Sequence, residues 1–262
     1  MSQDVGRVLD ALRSRRPLVH NITNYVVMNS TANALLAVGA SPAMVHAAEE
    51  VEEFVAISDA LVVNIGTLSR PWIEAMHLAV AKADGAGKPW VLDPVGAGAT
   101  RLRTETAHNL IRHRPAVIRG NGSEIMALVG SSGTTKGVDS TTGSDAALDA
   151  ARGLALSTGS CVVVTGAVDH VTDGERVVSC ANGDERMTRV TGLGCTLSAL
   201  TAACLAVEED RILAALAACT ILGVAGELVC GQSEGPGSLQ VSILDSLARI
   251  DRTMLIGRAK LT

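Results

Sequence analysis

The stretch Ala60-Leu61-Val62-Val63-Asn64-Ile65-Gly66-Thr67 decides the fold. It opens on four consecutive apolar residues with no polar face and runs out into Asn and Gly. Such a strand is buried on both sides, as the central strand of a parallel sheet is. Downstream, Pro71 to Ala83 reads as a helix and Pro89-Trp90-Val91-Leu92-Asp93-Pro94-Val95 as a second strand of the same kind. Strand, turn, helix, strand is the unit from which parallel sheets are built.

The unit recurs in both directions. Upstream lie a helix over Ser2 to Ser14, a strand running into the polar turn His20-Asn21-Ile22-Thr23-Asn24, a helix from Val26 to Val38, a strand over Ser41 to Val45 and a helix over Glu49 to Ser58. Downstream come the loop Gly96-Ala97-Gly98, a helix over Thr104 to His113, the strand Ala116 to Arg119 with its turn Gly120 to Glu124, a loop-like stretch from Ser131 to Ser144, a helix over Asp145 to Thr158 and the strand Cys161 to Gly166. His170 to Cys180 carries Asp-Gly at its centre and reads as a hairpin. The expectation is a single α/β domain over residues 1–262, a doubly wound, mostly parallel sheet with helices on both faces and a small antiparallel edge.

Composition narrows the function. Hydrophobic residues make up 47% and charged residues 19%, enough apolar material for a sheet covered on both faces. A net charge of −5 and only four large aromatics (Tyr25, Phe54, Trp72, Trp90) leave neither a basic footprint nor stacking platforms for nucleic acid. Met1 to Arg16 mixes charges and has no apolar signal core. The apolar tract Leu213 to Val229 is interrupted by Gly223, Gly226 and Glu227, which suits a buried or interface helix better than a membrane span. Six cysteines without a C-x-x-C pair fit a reducing, cytoplasmic setting. Small molecules are the expected partners, with no nucleic acid and no membrane.

Ligands of such sheets bind beyond the carboxyl ends of the strands, which places Asn24, Met44, Gly66, Asp93, Arg119, Asn121, Glu124 and Thr165 on one rim. The stretch Thr191-Gly192-Leu193-Gly194-Cys195 is a glycine turn opening a helix from Cys195 to Val207, whose free amides and dipole suit a phosphate. The same field is expected to lower the pKa of the Cys195 thiol; the alternative is a packing turn with an inert cysteine. Asn121 and Glu124 read either as a capping pair or, for Glu124 together with Asp93, as a pair of carboxylates on the rim that would hold magnesium bridging phosphates. Arg119 is a phosphate clamp or a surface ion pair, and Thr165 a nucleotide contact or a turn residue. No G-x-x-x-x-G-K-[ST] occurs, nor a G-x-G-x-x-G after the first strand.

Val19-His20-Asn21-Ile22-Thr23-Asn24, Gly39 to Met44, Asn64 to Thr67, Leu92 to Val95, Arg119 to Ile125, Lys136-Gly137-Val138-Asp139 and Ser233 to Ser238, in this order over nearly the whole chain, resemble hydroxyethylthiazole kinases. The resemblance implies the ribokinase-like fold, ATP and magnesium, and phosphorylation of 4-methyl-5-(2-hydroxyethyl)thiazole in thiamine biosynthesis or salvage. Carried onto this chain, it assigns Asp93 and Glu124 to the metal, and Arg119, Thr165 and Asn121 to the nucleotide. Met44 and Gly192 fall to the thiazole, with Asn24 and Gly66 on the same side. Gly194 and Cys195 form the anion hole, Cys195 standing where related sugar kinases carry an Asp base. Leu193 departs from the pattern, where a smaller or polar residue is expected. A homotrimer with shared active sites is also implied.

Overall fold

The computed structural model describes residues 1–130 and 140–262, the side chains of 140–145 excepted, so Lys136 to Asp139 lie outside the described residues. Among these residues one eight-stranded sheet forms in the order β2-β1-β3-β4-β5-β6-β7-β8. The strands are β1 (Leu18–Ile22), β2 (Ser41–Ala43), β3 (Ala60–Asn64), β4 (Trp90–Asp93), β5 (Val117–Asn121), β6 (Cys161–Thr165), β7 (Asp169–Thr172) and β8 (Val177–Cys180). Strands β1 to β6 pair in parallel, and β7 and β8 antiparallel. The expected doubly wound sheet with an antiparallel edge is what forms.

The strand alternation sorts side chains to two cores. Val62, Val91, Val117 and Val163 face the helices α1 (Ser2–Arg15), α2 (Met28–Val38), α8 (Leu193–Leu205), α9 (Arg211–Cys230), α10 (Pro236–Arg249) and α11 (Arg252–Arg258). Leu61, Val63, Leu92 and Ile118 face α3 (Val51–Ile57), α4 (Arg70–Gly85), α5 (Arg101–Ile111), α6 (Gly122–Leu128) and α7 (Ser140–Thr158). Caps start several of these helices: Ser69 Oγ accepts from Trp72 N, Thr100 Oγ1 from Arg103 N and Asp210 Oδ1 from Ile212 N, each worth about 1 kcal/mol.

Several boundaries differ from the sequence reading. Helix α5 starts at Arg101 rather than Thr104, and β5 runs on to Asn121 rather than ending at Arg119. Strand β2 ends at Ala43, leaving Met44 in the following loop. Helix α7 starts at Ser140 rather than Asp145. Helix α8 starts at Leu193 rather than Cys195, because Gly192 at φ +86° is itself its N-cap. Helix α9 is a core helix: 83% of its most apolar stretch is buried within the chain, packed by α1, α8 and α10. It therefore leaves no bare apolar face for an interface.

Candidate active site

Asn64 and Asp93 are the last residues of β3 and β4 and stand directly opposite one another in the parallel register. Helix α8 crosses both strands and brings its first turn over them. Two glycines make that approach possible. Gly192 is left-handed, and a Cβ there would lie 2.6 Å from Val27 Cγ1, while a Cβ on Gly194 would lie 2.7 Å from Arg119 Nη1. The amides of Leu193, Gly194 and Cys195 have no acceptor within their own helix.

Asp93 is fully buried, and its Oδ2 accepts from Asn64 Nδ2 (2.7 Å) and Ser198 Oγ (2.9 Å). Its Oδ1 has no hydrogen-bond partner and stands 3.7 Å from Arg119 Nη1. Burial pushes the Asp93 pKa up, against the pull of the Arg119 charge and the Ser198 hydroxyl. Arg119 Nη2 donates to Thr165 Oγ1 at 2.8 Å, so the guanidinium joins the ends of β4, β5 and β6. On the other side, Asn64 Oδ1 accepts from Asn24 Nδ2 and from Gly66 N, both at 2.9 Å. Asn64 Nδ2 and Asn24 Nδ2 also point at Cys195 Sγ, at 3.2 and 3.4 Å.

The hub of this network is Asn64, to which the sequence reading attached no role; Ser198 was missed as well. Both left signals. Asn64 is the lone polar residue closing a buried apolar strand, and Ser198 follows Cys195 by one helical turn on the same face.

The expected lowering of the Cys195 pKa is overturned. Burial pushes the thiol up to about 11, and the neighbouring Asp93 charge adds to this, while the Asn64 and Asn24 amides oppose it. A helix terminus contributes about 1 kcal/mol, less than one pKa unit, whereas desolvation moves buried groups by several units.

Asn121 and Glu124 do form a capping box: Asn121 Oδ1 accepts from Glu124 N and Glu124 Oε2 from Asn121 N, each at 2.9 Å. A cap does not account for the rest of Glu124. Its Oε1 reaches across to Gly96 N at 2.9 Å, binding the loop after β4 to the start of α6.

An open cleft of about 740 Å³ runs along this rim, lined on the sheet side by Arg119, Asn121, Thr165, Gly192 and Gly194. Asn24 and Gly66 lie outside it, tied to the Asn64 hub. Half-buried Met44 lies beyond the edge strand β2, joined to the hub by no hydrogen bond among the described residues. Leu193 borders the cleft and also lines a small apolar cavity of about 20 Å³ with Ala34, Ile243 and Leu247, so its bulk is taken up by the core between α2, α8 and α10.

Residues 9–253 match the model of the hydroxyethylthiazole kinase family. The chain belongs to that family. A hydroxyethylthiazole kinase from Granulibacter bethesdensis is 56% identical over 97% of this chain and 92% of its own length. The solved hydroxyethylthiazole kinase from Pyrococcus horikoshii superposes with a TM-score of 0.92 at 44% identity, covering 98% of each chain. A ribokinase-like superfamily protein from Enterococcus faecalis, at 13% identity and a TM-score of 0.65 over 93% of this chain and 95% of its own, shares the fold alone. This hydroxyethylthiazole kinase family member is thus a kinase on the ribokinase-like fold, as the sequence resemblance implied.

Proposed function

We propose that this kinase transfers the γ-phosphoryl group of ATP to the hydroxyl of 4-methyl-5-(2-hydroxyethyl)thiazole, with magnesium, in thiamine biosynthesis or salvage. The observation that carries this reading is the helix mouth at Gly192 to Cys195. It stands between the long cleft, which suits a nucleotide, and the Asn24–Asn64–Gly66 group, which suits a small acceptor. Arg119 and Thr165 line the cleft where phosphates would lie, with Asn121 beside them. The amides of Leu193, Gly194 and Cys195 take up charge on the transferring group, and positioning with electrostatics supplies most of the acceleration. Met44 and Gly192 contact the thiazole.

The carboxylates suit magnesium, which takes one or two protein carboxylates and keeps its waters. Asp93 offers a buried, unbonded Oδ1, and Glu124 retains a second lone pair on each oxygen. Bound there, the ion would neutralise charge on the β- and γ-phosphates. No group of three or more metal-ligating residues occurs among the described residues.

With its pKa pushed to about 11, Cys195 holds its proton at neutral pH and shapes the acceptor pocket rather than abstracting a proton. A loose phosphoryl-transfer transition state asks little of a base. Cys195→Ala is therefore expected to keep kcat within about tenfold of the native value with an unchanged pH profile. Cys195→Asp, received by the Asn24 and Asn64 amides, is expected to stay active. A fall of about a thousandfold in the Ala variant, restored by Asp, would establish proton handling instead.

ADP release measured over a panel of thiazole, pyrimidine and pyridine alcohols tests the whole reading, with the thiazole expected to give the highest kcat/KM. Release only with a hydrated nicotinamide nucleotide would make the protein a dehydratase of this fold, and binding of thiazole without turnover would make it a sensor. The active form is a homotrimer located in the cytoplasm. Exposed Tyr25 and Val26, beside Asn24 on the acceptor side, are apolar surface that a neighbour would cover. Light scattering should then read three times the 26.9 kDa chain mass, and a monomer mass would refute the assembly.

A further inference from the structure

The outer wall of the cleft is the segment 182–188, which follows β8 and includes all but the last residue of the short 3-10 turn Glu185–Arg189. It lies against the C-terminal half of α9, where the mostly apolar helix carries Gly223, Gly226 and Glu227. A Cβ on Gly223 would lie 2.7 Å from the Asn182 carbonyl oxygen, and one on Gly226 would lie 2.2 Å from Met187 Sδ, so the wall rests on the bare helix backbone. Glu227, with only 15% of its side chain exposed, gathers what surrounds it. Its Oε1 accepts from Gly183 N (2.9 Å) and pairs with Lys260 Nζ (2.8 Å), and both its oxygens lie 3.3 Å from Asn182 Nδ2. Asn182 in turn donates to Arg258 O and accepts from Lys260 N, both at 2.8 Å, which stitches the chain's last residues to the free edge of β8.

None of these groups touches Asp93, Cys195 or the helix mouth in the contacts described above. We propose that Glu227 is a positioning residue for the nucleotide: it holds the wall 182–188 on α9 at the distance that fits the co-substrate, and so sets nucleotide affinity while leaving the transfer step alone. The proposal rests on the reading of this cleft as the nucleotide site. The wall's other ties are its close contacts with Gly223 and Gly226 and the bonds of Asn182 to Arg258 and Lys260, whereas the Glu227 carboxylate alone supplies acceptors to a backbone amide, an amide side chain and an ammonium at once.

The test measures KM for ATP, KM for the thiazole, kcat and direct ADP affinity in Glu227→Ala, Glu227→Gln and Gly223→Ala. Glu227→Ala and Gly223→Ala are expected to raise both the ATP KM and the ADP Kd by roughly tenfold, with kcat and the thiazole KM within about twofold. Glu227→Gln, which keeps an acceptor for Gly183 but loses the charge opposite Lys260, should fall between them and the native enzyme. Hydrogen exchange on the native enzyme, with and without ADP, separates the role of Glu227 from the assignment of the cleft to the nucleotide. Protection of amides 182–188 with unaltered nucleotide affinity in Glu227→Ala overturns the role of Glu227 alone. Absence of any protection there overturns the cleft assignment, and the positioning role with it. A lowered melting temperature accompanied by equal losses for both substrates would reduce Glu227 to a purely structural residue.

Discussion

Asp93→Asn is expected to lower kcat by about three orders of magnitude, a loss of about 4 kcal/mol of transition-state stabilisation, while the fold survives. Removing the charge takes away the one buried carboxylate oxygen that, among the described residues, has no hydrogen-bond partner, and with it the atom that would meet a cation held between protein and phosphates. Two effects on stability oppose each other. Burying an incompletely paired carboxylate is costly, so its removal relieves strain on the fold. Arg119, 3.7 Å away and only 11% exposed, loses its counter-charge. The Asn oxygen can still accept from Asn64 and Ser198 where Oδ2 did. The melting temperature should stay within about 4 °C of the native value, about 1 kcal/mol in a domain of this size. If Asp93 serves only to anchor Arg119, the variant would melt lower and bind nucleotide poorly, yet turn over at a near-native rate once saturated.

Glu124→Gln should cut kcat by about a hundredfold or more and also lower stability by about 1–2 kcal/mol. The structural loss arises because both carboxylate oxygens accept from backbone amides, Gly96 on one side and Asn121 on the other. A glutamine can serve only one of them and turns its own NH2 toward the other. Melting temperature therefore falls whether or not the residue meets a metal, and turnover alone discriminates. Loss of rate that is partly recovered at raised magnesium concentration supports the metal role. A variant that melts lower but keeps its native rate leaves Glu124 as a cap and a tether of the Gly96 loop.

Sequence reading reached far into this protein wherever the deciding forces are local. The continuous apolar runs at Ala60 to Val63 and Cys161 to Val164, and the Asp-Gly hairpin, marked the parallel sheet and its antiparallel edge. Gly192 and Gly194 marked the helix mouth, and the Asn121 to Glu124 spacing marked a capping box that is formed. Each of these rests on backbone geometry, hydrogen bonding or side-chain periodicity within a few residues.

Only the tertiary structure decided which side chains meet. Asn64 became the hub because the parallel register sets it opposite Asp93 and because α8 lowers Cys195 onto it, two contacts between residues 29 and 131 positions apart. Glu124 gained its second role from Gly96, and Glu227 its partners from segments 33 to 45 positions away on either side, for the same reason. The sign of the Cys195 shift also turned on tertiary structure. The helix terminus that favours a thiolate is written in the local sequence, whereas the burial that overrides it comes from neighbours brought in by the fold. Local pattern specifies which elements form; desolvation and charge depend on the distances between elements, and those exist only once the sheet and its two helical layers have closed around the site.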